Sequence, residues 1–499
     1  VALKQAGRDD LAERGNLWLK SHRNVDGGWG DSPESPSNFT TTLLCRCVLN
    51  EETGTPQEVV HSILKHYGED RTFSVPILTM CMLSGKLGED WSVIPQLPFE
   101  LAVLPHRFFQ VIHLPVVSYA LPALIAIGLV RHVHRPSRIA VYRDALVPRV
   151  LQILRFFQPE SGGYLEAIPL TGFVAMSLTA AGYADHSVAQ SCFDFLEKTV
   201  REDGSWPIDV NLSTWVTSLS VQALGDALTP EQQSAIRMHL LKTQWKEIHP
   251  FTNAEPGGWG WTCEQGGVPD ADDTSAALLA LRQLGCETAP AQKGVEWLLR
   301  LQNRDGGMPT FCTGWGRLPF DRSCPDLTAH AIRAWIAWRD RLDSGVRKQI
   351  DRSIARGVNY LATQQRADGS WIPLWFGNQN HPRHENPVYG TVRVLEALRE
   401  LDRTEFPVAD SMVQRGCGWL EQVDLDSLSV EELALLAGLT GRGVSQLLEK
   451  TAHGTRFFAK TIGLYFASLW YSERLYPCIF TTEALSRLVL DHSTGKAPQ

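Results

Sequence analysis

The sequence predicts an all-α protein built of two helical (α/α) barrel domains, and three observations carry that prediction. Apolar residues recur at three- and four-residue spacing along much of the chain, as in "KGVEWLLRLQ" before Asp305 and "ARGVNYLATQQ" before Asp368. A phrase of Gln, Gly and Trp repeats between those stretches. Strand signals are sparse, with few alternating Val, Ile and Thr runs and no strand leading into a Gly-rich phosphate loop.

The repeated phrase sets the order of elements. It reads "VDGGWG" at Trp29, "REDGSW" at Trp206, "AEPGGWGW" at Trp259 and "QQRADGSW" at Trp371, with weaker copies "PESGGY" at Tyr164 and "QNRDGGM" at Met308. Each unit is a helix, a Gly turn, an aromatic residue and a second helix. A spacing of about 40 to 60 residues suits a pair of helices per repeat, and such pairs bury their apolar faces only against neighbours. A closed ring of helix pairs follows. The Gly residues supply positive φ, while the aromatic ring and a preceding Gln, Gln364 or Gln365 in one copy, tie the turn to the next helix. One barrel is expected over residues 13–210 and a second over 211–499, with the N-terminal helix 1–12 packing back onto the second.

Composition narrows the function. The chain has 499 residues, 43% hydrophobic and 20% charged, with a formal net charge of −8, and it shows no basic stripe suited to nucleic acid. Its ten cysteines are scattered without a CxxC pair, which points away from a zinc cage or a disulfide framework and toward a reducing cytoplasm. The opening "VALKQAGRDD" has no apolar signal core. The uncharged run "FFQVIHLPVVSYALPALIAIGLV" reads as a buried helix pair interrupted by Pro115 and Pro122, with peripheral membrane contact as the second reading.

The stretch "PDADDTSAALLAL" places Asp270, Asp272 and Asp273 at the start of an apolar helix. A helix cap accounts for one or two carboxylates. A third adds like-charge repulsion, which a low-dielectric site relieves by keeping one carboxyl protonated. From these residues alone the cap and the acid site both stand.

A Gln/Gly/Trp helical repeat with a D-x-D-D-T sequence after "PGGWGW" resembles the class II terpene cyclases, the squalene-hopene cyclases in particular. The likeness runs over most of the chain, and "PDLTAHAIRAW" supplies a second match. The resemblance implies that Asp272 is the general acid and that Asp270 and Asp273 tune it, with Asp273 as the fallback acid. It also implies that His330, held by Asp326, hydrogen-bonds the acid. Trp261 and Trp215, Phe311, Trp375, Tyr389 and Tyr119 are implied as an aromatic, substrate-binding lining, and Tyr465 is aligned with a cavity aromatic near the end. Val216 departs from the family, which usually has an aspartate after the residue matched by Trp215.

The chemistry explains the residue types. An isolated alkene is a very weak base, so its protonation needs a carboxyl held neutral and a donor for the carboxylate that appears. Aromatic faces then stabilise the migrating cation without bonding to it. The sequence around the aligned positions is shorter than in the usual squalene cyclases, which implies a smaller cavity. The expanded stretch "FGNQNHPRHENPV" offers His381, Arg383 and His384 as diphosphate-binding candidates beside the solvated-loop reading. The expected substrate is therefore farnesyl diphosphate, cyclised to a drimenyl-type bicyclic diphosphate with the diphosphate retained and Mg2+ as its escort. Geranylgeranyl diphosphate, or squalene as in a hopene-type triterpene cyclase, is the alternative. From other classes, a zinc prenyltransferase subunit lacks an evident zinc set, and an α-barrel glycosidase also uses paired carboxylates.

Overall fold

The computed structural model describes all residues except 69–70, 106–107, 110–119, 312–320, 403, 465–468 and 495–499. It divides into two units, one comprising Val1–Asn211, Pro250–Thr252 and Glu264–Gly267, the other Leu212–His249, Asn253–Cys263 and Val268–Gln499. Helices dominate both.

The first unit holds α1 (Ala2–Gln5), α2 (Asp9–Ser21), α3 (Phe39–Val48), α4 (Pro56–Tyr67), α5 (Arg71–Leu83), α6 (Leu121–His134), α7 (Ala140–Phe157), α8 (Ile168–Ala180) and α9 (Ser187–Lys198). Ile63, Leu78, Ile125, Leu129, Val174 and Phe193 are among its core residues. Of the uncharged run read as a helix pair, α6 is a buried helix, and residues 110–119, which include Tyr119, lie outside the described residues. Among the described residues no helix is long and apolar enough to cross a membrane.

The N-terminal segment corrects one expectation. Instead of completing the second unit, α1 packs on α8 in the first. Ala2 is part of that unit's core, with Val1, Leu3 and Ala6 against it. Arg8 pairs with Glu197 and lies 5.6 Å from the Phe193 ring centroid. Apolar burial plus this ion pair hold the segment there.

The second unit holds α10 (Ser213–Leu224), α11 (Pro230–Thr243), α12 (Ala271–Gln283), α13 (Thr288–Leu301), α14 (Pro325–Arg339), α15 (Ser344–Gln364), α16 (Pro387–Glu400), α17 (Val408–Leu420), α18 (Val430–Thr440), α19 (Val444–Lys450) and α20 (Tyr476–Thr494). Helices α10, α12, α14, α16, α18 and α20 each pack on the next, and α20 returns to α10, closing an inner ring. The others pack outside it. Sequence explains the layering. Outer α15 buries one stripe, Val346, Ile350, Ile354, Val358 and Leu361, as a one-sided amphipathic helix does. Inner α18 buries Val430–Ala437 without a break, because it is covered on both sides. A small antiparallel sheet, β1 (Gly377–Asn378), β2 (Ile462–Leu464) and β3 (Leu469–Tyr471), pairs Gly377 with Gly463 and Gly463 with Trp470.

The repeated phrase pins its turn to neighbouring helices through two kinds of bond. Gln365 Nε2 donates to Gly369 O at 2.9 Å and to Met412 O at 2.9 Å, so one amide clamps its own turn to the next outer helix. Gln302 repeats this with Gly306 O and Ser353 O, and Gln244 with Gly257 O and Pro290 O. The indoles of Trp29, Trp206 and Trp371 each donate back to a Leu carbonyl ten residues earlier. Glycine is required at 369, where φ is +99° and an added Cβ would lie 2.5 Å from Arg415 O.

Candidate active site

The inner ring carries its chemistry at helix starts. Trp215 opens α10, Asp272 and Asp273 open α12, Asp326 opens α14, Tyr389 opens α16, Glu431 and Glu432 open α18, and Tyr476 opens α20. Carboxylates suit that position, where free N–H groups and the positive end of the helix dipole meet them.

Two loops fix the acid cluster. Asp270 N donates to Trp259 O at 3.0 Å, and Ala271 N to Thr310 O at 2.9 Å, so the GWGW and Met-Pro-Thr turns set the entry of α12. The Asp270 carboxylate caps the helix by accepting from Asp273 N at 2.8 Å. The cap reading is therefore right for Asp270. It does not exhaust the cluster: the Asp270 and Asp273 side chains are hydrogen-bonded to each other, and Asp273 Oδ1 is buried without a partner. Burial, followed by the charge of Asp270, holds the Asp273 carboxyl well above the ordinary carboxylate range. Burial raises Asp270 as well, so the pair retains a proton.

Asp272 differs from both. Its side chain is 20% exposed, whereas Asp270 and Asp273 are buried, and its Oδ1 lies 2.5 Å from His330 Nδ1 on α14. The expected hold of Asp326 on His330 is not what the structure shows. Asp326 accepts a hydrogen bond from the Cys324 thiol, whose sulfur also accepts from Leu374 N at 3.1 Å. Asp326 sits at the start of α14, aimed back toward its own N-terminal loop, while His330 lies a turn further on, facing α12. Burial pushes the Asp326 carboxyl up to about 7, with the Asp272 charge contributing.

The aromatic residues fall into two groups. Trp261 meets Phe311 edge to face with centroids 6.4 Å apart, and Phe311 meets Trp375 at 5.6 Å; Trp375 Nε1 donates to Thr310 Oγ1 at 2.5 Å. Trp215 lies 6.2 Å from the His330 ring and 6.4 Å from Phe376, which stacks on Tyr389 at 4.2 Å. Trp215 Nε1 donates to Tyr476 Oη at 2.7 Å, and Tyr476 stacks on Phe480 at 5.6 Å. The second group borders a small cavity lined by Phe376, Tyr389, Tyr476, Phe480, Leu435 and Ile462, with Asn378, Asn386, Ser429, Glu431, Glu432 and Lys460 among the polar residues. Phe376, Tyr476 and Phe480 were not singled out in the sequence, and neither was the polar group.

Other expected residues fall elsewhere. Tyr465 lies outside the described residues. His381, Arg383 and His384 share the turn after β1, but Arg383 pairs with Glu385 at 3.1 Å and the His384 ring packs edge-on to Trp470 at 5.1 Å. That turn contributes Gly377, Asn378 and Asn386 to the cavity, and none of the three cationic candidates.

Comparison with known proteins decides what this arrangement belongs to. The squalene-hopene cyclase C-terminal domain family model matches residues 211–427, which contain the acid cluster and His330. Over those residues the chain is similar to the squalene-hopene cyclases. It is 25% identical to enfumafungin synthase of Hormonema carpetanum over 81% of this chain and 37% of that protein. It is 23% identical to a squalene hopane cyclase of Aspergillus fumigatus over 81% of this chain and 69% of that one. The chain thus spans little more than a third of the first of these cyclases. In fold it matches ent-copalyl diphosphate synthase from Streptomyces platensis with a TM-score of 0.52 and 17% identity, covering 95% of this chain and 91% of that one.

Proposed function

We propose that the protein protonates the terminal alkene of a linear isoprenoid with Asp272 and cyclises it through carbocations. The observation that carries this reading is the Asp272–His330 contact at 2.5 Å, made by the one accessible carboxyl of a cluster whose other members are buried. Asp272 gives its proton to the alkene carbon that bears a hydrogen, and the positive charge appears on the neighbouring dimethyl carbon. His330 Nδ1–H donates to Oδ1 and stabilises the carboxylate left behind. The next alkene closes the first ring onto that cation. Aromatic faces nearby are worth about 0.5 to 2 kcal/mol each to the migrating charge. The apolar walls also keep water, a competing nucleophile, from it.

The finer reading is farnesyl diphosphate as substrate and a drimenyl-type bicyclic diphosphate as product. The shortened sequence around the aligned aromatic positions supports it. Among the described residues no three His, Cys, Asp or Glu side chains are grouped to hold a metal ion, so no step is assigned to magnesium. Its place is as a counter-ion carried by the diphosphate. Squalene is the second reading, favoured by the name of the Aspergillus fumigatus relative.

The test is incubation with farnesyl diphosphate, geranylgeranyl diphosphate and squalene, each with and without Mg2+, followed by phosphatase treatment and mass analysis. A bicyclic alcohol from farnesyl diphosphate supports the finer reading. A product from squalene alone replaces the substrate and keeps the acid, and no product from any of them overturns the function.

A further inference from the structure

Termination demands a proton acceptor, and the cavity lining holds a candidate. Among its polar residues, Asn378 donates to Glu432 Oε1 at 2.7 Å, and its own Oδ1 accepts from Asn380 N at 3.0 Å. Asn386 Oδ1 accepts from Tyr389 N at 3.1 Å, and Ser429 Oγ accepts from Glu432 N at 3.1 Å. The second Glu432 oxygen accepts from Ser429 N at 2.8 Å and lies 3.7 Å from Lys460 Nζ. Each of these side chains is committed to the local fold. Glu431 is different: it is 5% exposed, its Oε1 accepts from Lys460 N at 2.8 Å, and its Oε2 is buried with no hydrogen-bond partner. It is the one lining residue with an unpartnered basic oxygen among those described.

The surroundings suit a late cation. Tyr389, Phe376, Tyr476 and Phe480 line the same cavity, and Trp215 links that aromatic group to His330. A desolvated carboxylate beside such faces attracts positive charge strongly, because little water screens it. Burial also raises Glu431 above the ordinary carboxylate range, which makes its anion a better proton acceptor.

We propose that Glu431 is the terminating base: its Oε2 removes a proton from a carbon next to the final cation. The C–H bond breaks, its electron pair becomes the new C=C bond, and Glu431 becomes the neutral acid. Asp272 has donated one proton and Glu431 has taken one, so the reaction is a net isomerisation; solvent afterwards reprotonates Asp272 and deprotonates Glu431. This rests on the cyclase reading of the same unit.

The experiment compares products of the full chain and Glu431→Gln on whichever isoprenoid the wild type consumes. The glutamine keeps the volume and an oxygen for Lys460 N but not the basicity. The expected result is continued ring closure with at least a tenfold fall in kcat for the native alkene, accompanied by alkene isomers or water-captured alcohols absent from the wild type. The same products at a rate within twofold overturn the proposal. So does complete loss of every cyclic product from a variant with an unchanged Tm, because a base that acts after ring closure cannot block the first protonation. If Glu431→Gln does not fold, Glu431→Asp serves: a carboxylate drawn back by one methylene should shift the product ratio, and an unchanged ratio overturns the base. Wild type that consumes no isoprenoid refutes the cyclase reading itself, an outcome distinct from both.

Discussion

His330 Nδ1 lies 2.5 Å from Asp272 Oδ1, a contact between neighbouring inner helices across 58 residues of sequence. In the proposed reaction the other carboxyl oxygen of Asp272 carries and delivers the proton. Asp272→Asn keeps the shape and removes the acid. Turnover is expected to fall by about 10²–10⁴-fold, with Tm changed little because the residue is not fully buried. Steady-state kinetics beside thermal melting checks this.

Replacing His330 by Phe removes the donor that stabilises the Asp272 carboxylate. The loss belongs in kcat with KM nearly unchanged, since the hydrogen bond strengthens only as charge develops, and about 10²–10³-fold is expected for a lost preorganised donor. An equal rise in KM would instead assign His330 to substrate binding.

Buried carboxyls make stability depend on pH. Asp326 in the second unit and Glu166 in the first are each raised by burial to about 7. A raised carboxyl binds its proton more tightly in the folded state, so its contribution is fully present below the unfolded pKa near 4 and is lost as pH rises toward 7. Tm is therefore expected to fall between pH 4.5 and pH 8, the range these pKa values span. Asp326→Asn should flatten part of that slope; a slope identical to wild type would contradict the assignment.

Glu396 holds three guanidinium groups beneath the aromatic wall. It is buried, lies 3.4 Å from Arg333 and 3.0 Å from Arg393, and also pairs with Arg487. Arg393 in turn sits 5.4 Å from the Tyr389 ring centroid and 5.2 Å from that of Phe480. Glu396→Ala leaves the buried Arg393 without its carboxylate while Arg333 keeps Glu400 and Arg487 keeps Glu483, and a loss of about 3–5 kcal/mol is expected in chemical denaturation.

How far the sequence could be read follows from distance along the chain. The Gln/Gly/Trp phrase recurs within short stretches of chain, and its turn was legible because Gln365 and Trp371 bond to Gly369 O and Leu361 O, four and ten residues away, although the choice between Gln364 and Gln365 was not. The contact between Asp272 and His330 was legible through motifs. The rear of the cavity was not: Glu431 and Glu432 look like ordinary first-turn acids of a capping box, which Glu432 is. Tyr476 reaches Trp215 only when the ring closes across 261 residues. Asp326 misled for a different reason, since its partner Cys324 sits only two residues away but no motif announces it. The N-terminal helix misled because its few apolar residues fit either unit equally well on pattern alone.

The central claim is that Asp272 delivers the initiating proton, and turnover in D2O tests it most directly. The account predicts one deuterium in the cyclic product, on the ring carbon next to the gem-dimethyl carbon, and a yield from Asp272→Asn lower by about 10²–10⁴-fold. A cyclic product without deuterium at that carbon, or an Asp272→Asn variant that turns over like wild type, would contradict it.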